Sequence, residues 1–148
     1  MNILHASSEV FPYSKTGGLA DATAALAKAQ ATAGHTVTLV TPLYSGIREQ
    51  FPGLEPLGQA EPPAKVWRLE PKPNLTVLFI DEPEWFDRDG LYGHADDAER
   101  FIFFSKCVAR LAKRTEIVHA HDWQSGLVMP LLTDVPVGKV FTIHNAAY

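Results

Sequence analysis

The chain predicts an α/β domain, a mostly parallel sheet with helices on both faces, and three observations carry that reading. Apolar runs of strand length recur at Asn2–Ala6, Thr36–Thr41, Ile117–His121 and Lys139–His144. Helical patterns over 19–33 and 97–114 alternate with them, which is the order of βαβ units. The residues able to do chemistry fall just after the first, third and last of these runs. In a parallel sheet those positions share one rim, where such folds bind ligands.

Each element has its own justification. Asn2–Ala6 reads as a buried strand. Leu19, Ala22, Leu26, Ala29 and Ala33 recur at spacings of three and four, which predicts one buried helix face, and Gly34 sits where a helix C-terminus wants glycine. Thr36–Thr41 is a second strand, closed by Pro42. Tyr44–Ala64 holds Pro52, Pro56, Pro62 and Pro63 with three glycines and reads mostly as loop. Lys65–Glu70 and Leu75–Ile80 read as two strands joined by a hairpin at Pro71–Asn74. Asp81–Asp97 is acidic and irregular, with Trp85, Phe86, Leu91 and Tyr92 either packed on the domain or facing a ligand. Asp97–Arg114 is a helix with Ala98, Phe101, Phe104, Val108 and Leu111 on its core face. Glu99, Arg100, Lys106, Arg110 and Lys113 mark its wetter side. Ser125–Thr133 is a short helix before the final strand.

Composition narrows the class. The 148 residues are 46% hydrophobic and 20% charged, enough for one domain with a real core. The net charge of −4, without a Lys/Arg cluster, argues against a nucleic-acid face. A single cysteine, Cys107, forms no internal disulfide and fits a reducing compartment as a small buried hydrophobe. No stretch has bilayer-spanning length, and the N-terminus enters a strand pattern without a signal peptide. The expectation is a cytoplasmic protein with no membrane partner.

Three clusters carry chemistry. Ser14-Lys15-Thr16-Gly17-Gly18-Leu19-Ala20-Asp21 places a lysine and two glycines at a helix start. That arrangement suits an anion, though it also suits a plain helix cap with a solvent lysine. His119-Ala120-His121-Asp122-Trp123 puts two imidazoles on one side of a strand. The reading is open between a metal site on His119, His121 and Asp122, a core histidine beside a loop start, and a sugar site in which Asp122 takes hydroxyls against the Trp123 plate. Thr142-Ile143-His144-Asn145-Ala146-Ala147-Tyr148 offers donors and acceptors at a strand end. No Gly-x-Ser-x-Gly elbow, dinucleotide fingerprint or Walker loop is present.

Lys15-Thr16-Gly17-Gly18-Leu19-Ala20-Asp21 resembles the Lys-Thr-Gly-Gly-Leu signature of bacterial glycogen synthases and plant starch synthases. Ser8-Glu9-Val10-Phe11-Pro12, His119–Trp123 and Phe141–Tyr148 are similar to the same family, in the same order along the whole chain. The resemblance implies a GT-B glycosyltransferase whose Rossmann-like domains face a cleft. Such enzymes move glucose from ADP-glucose to the non-reducing end of an α-1,4-glucan with retention, without an essential metal or separate cofactor. By motif match, Lys15, Gly17 and Gly18 lie against the donor diphosphate and glucose. Asp21, Asp122, His144 and Asn145 shape the nucleotide-sugar and acceptor site, and Glu9, Tyr92 and Trp123 are acceptor- or glucose-side contacts. Lys15, Asp122 and His144 are the expected catalytic residues, His144 binding a sugar hydroxyl or stabilising the transition state instead of acting as a base. The resemblance also implies that residues 1–148 are a truncated N-terminal domain lacking the C-terminal nucleotide-binding domain. Such a piece is expected to transfer no glucose alone and to self-associate through an exposed cleft face. Two other readings remain: a glucan- or anion-binding module, and a metal-dependent hydrolase using His119, His121 and Asp122.

Overall fold

A computed structural model describes residues 1–60 and 63–146. Pro62, within the segment read as loop, and the Ala147-Tyr148 end of the third motif lie outside the described residues. In chain order the elements are β1 (Asn2–Ala6), α1 (Gly18–Thr32), β2 (Thr36–Pro42), α2 (Ile47–Gln50), β3 (Glu55–Gln59), β4 (Lys65–Lys72), β5 (Leu75–Asp81), α3 (Pro83–Phe86), α4 (Asp97–Leu111), β6 (Ile117–His121), α5 (Trp123–Gly126), α6 (Val128–Leu131) and β7 (Gly138–Thr142). The strands form one sheet in the order β3-β4-β5-β2-β1-β6-β7. Pairs β1/β2, β1/β6, β2/β5 and β6/β7 are parallel, and the β3/β4 and β4/β5 pairs are antiparallel. The predicted mostly parallel sheet with its helices is therefore present.

The β4–β5 hairpin turns at Pro73-Asn74, and Asn74 adopts φ 64°, a left-handed value that asparagine tolerates. The α1 terminus is a Schellman cap: the His35 amide donates to the Gln30 carbonyl at 3.2 Å and the Gly34 amide to that of Ala31 at 3.1 Å, with Gly34 at φ 93°.

The structure corrects several details. The buried face of α1 is Ala20, Thr23, Ala27 and Ala31, not the Leu19–Ala33 series; Leu26 is exposed. With alanine all round, the helix presents more than one stripe at helical spacing, and the stripe of small residues is the one that lets it approach the sheet. The 44–64 segment is not all loop, since it contains α2 and β3. β3 carries Pro56 and Gly58 and is exposed throughout, so it has no alternation to read. As an edge strand it tolerates proline, and its register shifts between Pro56 and Gly58. The 81–97 segment contains α3, whose N-cap Glu82 accepts from the Glu84 amide at 3.3 Å. The helix expected over 125–133 is two single turns, α5 and α6. Pro130 has no amide to donate to the Gly126 carbonyl, the bond that would carry α5 into α6.

Arg100 is the largest correction. It is fully buried, not on the wet side of α4. Its Nε donates to the Trp85 carbonyl at 2.6 Å, and its Nη1 donates to the Leu91 carbonyl at 2.9 Å and Asp97 Oδ1 at 2.8 Å. One guanidinium thus folds the 85–97 loop onto α4. Phe86 is fully buried within that loop, while Trp85, Leu91 and Tyr92 pack against the core. Phe101, Phe104, Cys107 and Val108 form the buried face of α4.

Candidate functional site

The chain leaves β1 toward β2 on one side and leaves β6 toward β7 on the other, and β1 and β6 are neighbours. That is a topological switch point, where diverging loops leave a crevice beyond the strand ends. A cleft of about 520 Å³ opens there, lined by Glu9, Thr16, Gly17, Gly18, Leu19, Tyr92, Asp122, Gln124, His144 and Asn145. The three sequence clusters meet in it, as their positions after parallel strands require.

Glu9 organises the β1 side. Its carboxylate is 2% exposed and accepts from the Thr16 amide at 3.1 Å, the Thr16 hydroxyl at 2.7 Å, the Gly17 amide at 3.2 Å and the Tyr92 hydroxyl at 3.2 Å. The anion site expected at the glycine turn is therefore engaged in part by the protein's own carboxylate. The helix begins at Gly18, and the amides of its first turn have no acceptor within the helix. Tyr92 reaches this point because Arg100 holds its loop; Ser8 Oγ lies 2.6 Å from the Tyr92 hydroxyl. Tyr44 donates its hydroxyl to the Ser8 carbonyl at 2.6 Å, and complete burial pushes its pKa well up.

Asp122 organises the β6 side. It is the residue after β6, and its backbone sits at φ 59°, ψ 180°, a region that glycine occupies and other residues enter only under constraint. Three contacts over-determine it. The Asp122 amide donates to the Thr142 carbonyl at 2.9 Å, and Asp122 Oδ1 accepts from the His144 amide at 2.6 Å and the Asn145 amide at 3.4 Å. The carboxylate thereby positions the chain after β7, and with it His144 and Asn145.

Behind the cleft lies a group of imidazoles. His5, His119 and His121 share one face of β1 and β6, with His5 opposite His119 in the register. His144 Nε2 is 2.9 Å from His121 Nδ1, His121 Nε2 is 3.0 Å from His5 Nδ1, and His5 Nε2 is 2.6 Å from Gln30 Oε1 on α1. His119 stacks on His121 at 4.1 Å and its Nε2 is 2.7 Å from Thr142 Oγ1. Burial, then the neighbouring imidazoles, lowers the His121 pKa to about 2; burial lowers that of His5 to about 4, against the Gln30 hydrogen bond. Ligand atoms of His5, His119 and His121 lie within 4.8 Å of one another, a spacing compatible with a metal ion. In this arrangement the nitrogens engage one another, Gln30 and Thr142, and the Asp122 carboxylate is turned to the amides of His144 and Asn145.

Not every expected residue lines the cleft. Lys15 pairs with Asp21 at 2.5 Å, with both side chains about half exposed, and neither is among the lining residues. Trp123 is 47% exposed and packs edge-on against Phe101 at 5.5 Å, also outside the lining. Gln124, beside it, is buried and lines the cleft with Oε1 lacking a partner among the described residues. Sequence reading passed over it because a glutamine after a tryptophan carries no motif weight. His5 was also missed, since only strand register brings it to His119.

Comparison with known proteins adds the family. The starch synthase catalytic domain family matches residues 2–148. Glycogen synthases of Halalkalibacterium halodurans and Bacillus subtilis are 37% and 39% identical over the whole chain, which spans 34% of each. The chain thus covers about a third of the length of these relatives. Among solved structures, the catalytic domain of starch synthase IV from Arabidopsis thaliana, bound to ADP and acarbose, superposes with a TM-score of 0.78 at 30% identity, over 97% of this chain and 34% of that one. Sucrose-phosphate synthase from Thermosynechococcus elongatus shares the fold at a TM-score of 0.63 and 18% identity. With the sheet order, the rim cleft and a match over nearly every residue in agreement, the chain belongs to the starch synthase catalytic domain family.

Proposed function

We propose that this chain is the N-terminal part of a glycogen (starch) synthase that transfers glucose from ADP-glucose to the non-reducing end of an α-1,4-glucan with retention, and that it transfers no glucose alone. The observation that carries the proposal is the meeting of Glu9, Gly17-Gly18, Asp122, His144 and Asn145 in one rim cleft. The Arabidopsis relative binds ADP and acarbose, a nucleotide and an oligosaccharide-like ligand, which fits such a cleft. Departure of a diphosphate develops negative charge, and the amides from Gly18 onward, with Lys15 swung from Asp21, stabilise it. Glu9 disfavours phosphate beside its own carboxylate and favours hydroxyls, so the sugar belongs at the Glu9–Tyr92 end. His144 meets a sugar hydroxyl or the transition state, and Asp122 holds it there. Trp123 offers an apolar plate outside the cleft lining. No cofactor and no metal enter this reading, and ADP-glucose is a substrate.

The proposal extends to a cytoplasmic setting; no described helix is long and apolar enough to cross a membrane. It includes self-association through the exposed cleft face; Val140, Phe141 and Ile143, on and just after β7, add exposed apolar surface outside the cleft lining. Calorimetry with ADP-glucose and with a maltooligosaccharide tests the reading. Donor binding that is lost in Asp122→Ala supports it, and glucan binding without donor binding favours the module reading. Labelled-glucose transfer to glycogen by the 148-residue chain alone overturns the prediction of inactivity. Stoichiometric metal in the purified chain favours the hydrolase reading.

A further inference from the structure

We propose that Gln30, remote from the cleft, is a positioning residue that sets which nitrogen of His144 carries its proton. Hydrogen-bond polarity fixes the tautomers along this line of rings. A neutral imidazole has one N–H donor and one lone-pair acceptor. Gln30 presents Oε1, an acceptor, to His5 Nε2 at 2.6 Å, so His5 must be protonated on Nε2. His5 Nδ1 is then an acceptor, and the 3.0 Å contact requires the proton of His121 on Nε2. His121 Nδ1 becomes the acceptor at 2.9 Å, which requires the proton of His144 on Nε2. A single arrangement of three protons satisfies all three contacts, and it leaves Nδ1 of His144 as a lone pair.

Burial supports the premise that the two interior rings are neutral, since it disfavours the imidazolium form of both His5 and His121. His119 stacks beside this line without joining it, because its Nε2 is engaged with Thr142. Gln30 lies twelve residues along α1 from Gly18 at the cleft, about 18 Å at the usual helical rise. The consequence for a ligand rests on the sugar reading above: His144 would accept a hydrogen bond from a hydroxyl at Nδ1 instead of donating one. The proton arrangement itself needs no ligand.

The test is nitrogen NMR of the imidazoles in the 148-residue chain at neutral pH without ligand. The expected result is the Nε2–H tautomer for His5, His121 and His144, with couplings across the His144–His121 and His121–His5 hydrogen bonds. A wild-type His144 protonated on Nδ1, or the absence of those couplings, overturns the proposal without any variant. The acceptor that starts the line is the Gln30 side-chain oxygen. Gln30→Met removes it, and the line is expected to reverse, so that the Nδ1–H population of His144 rises several-fold while the backbone amide spectrum keeps its pattern. A folded Gln30→Met protein with an unchanged His144 tautomer overturns the proposal. Failure of the sugar reading would appear instead in the calorimetry, with the tautomers as expected here.

Discussion

The two faces of β1 and β6 are made from alternate residues of the same strands, yet they are held by different physics. On one face Leu4, Ala6, Val118 and Ala120 are at most 2% exposed, and they contribute through apolar contact, which has no direction. On the other, His5, His119 and His121 contribute through hydrogen bonds that have a direction and depend on the protons of their neighbours. The first face responds to lost volume. The second responds to lost or misplaced protons, and it is the one that ends at the cleft. The lesson is that this sheet uses one face for cohesion and the other to connect its interior to its rim.

Substitution on the apolar face should give the largest single effect. Leu4→Ala is expected to lower stability by about 2–5 kcal/mol with little change in ligand binding, measured by urea unfolding and calorimetry. A loss under about 1 kcal/mol would mean that the face is not close-packed there.

Acid should act on the other face. His5 and His121 have folded pKa values of about 4 and about 2, below the unfolded value, so the unfolded chain takes up protons first. Their effect on stability is therefore constant above about pH 6.5 and declines below it, on the order of 1 kcal/mol per pH unit for each histidine. The His5 contribution to the slope ends near pH 4, and that of His121 continues further down. Urea unfolding at a series of pH values checks this, and His5→Phe should reduce the slope between pH 6.5 and pH 4. An unchanged slope in that variant would break the contrast between the faces.

Where the imidazole line meets the rim, Asp122 allows a finer comparison. Asp122→Ala removes the acceptor for the His144 amide and is expected to lose about 1.5–3 kcal/mol. Asp122→Gly loses the same acceptor but relaxes the φ 59° backbone, so it should be more stable than the alanine variant by about 1–3 kcal/mol. Ligand binding should fall in both. Equal stabilities would show that no backbone strain is held there.

The smallest effect belongs outside either face. Lys15→Met breaks an exposed pair with Asp21 and is expected to change stability by less than about 1 kcal/mol in the same unfolding assay. A larger loss would mean that the pair has a structural role.

Much of this was legible along the chain. Alternating strand and helix signals predicted the parallel sheet, because apolar periodicity is a local property, and the rim position of the three clusters followed from it. Local signals failed where locality fails. β3 was missed because an exposed edge strand with Pro56 and Gly58 needs no alternation. Alanine on every side of α1 gives no preferred direction, so periodicity alone does not select its buried face. Arg100 has the polar character of the wet side, yet two of its partners, the carbonyls of Trp85 on α3 and Leu91 in the loop after it, lie outside its own helix.

By itself the sequence determined the fold class, the three clusters and their convergence on one rim, since each depends on residues near one another in the chain. Only the tertiary structure decided that Glu9 occupies the glycine turn, that Lys15 turns to Asp21, and that His5 and Gln30 stand behind His144. Those contacts join residues that strand register and helix packing bring together, and hydrogen-bond partners distant in the chain leave no periodic trace in it.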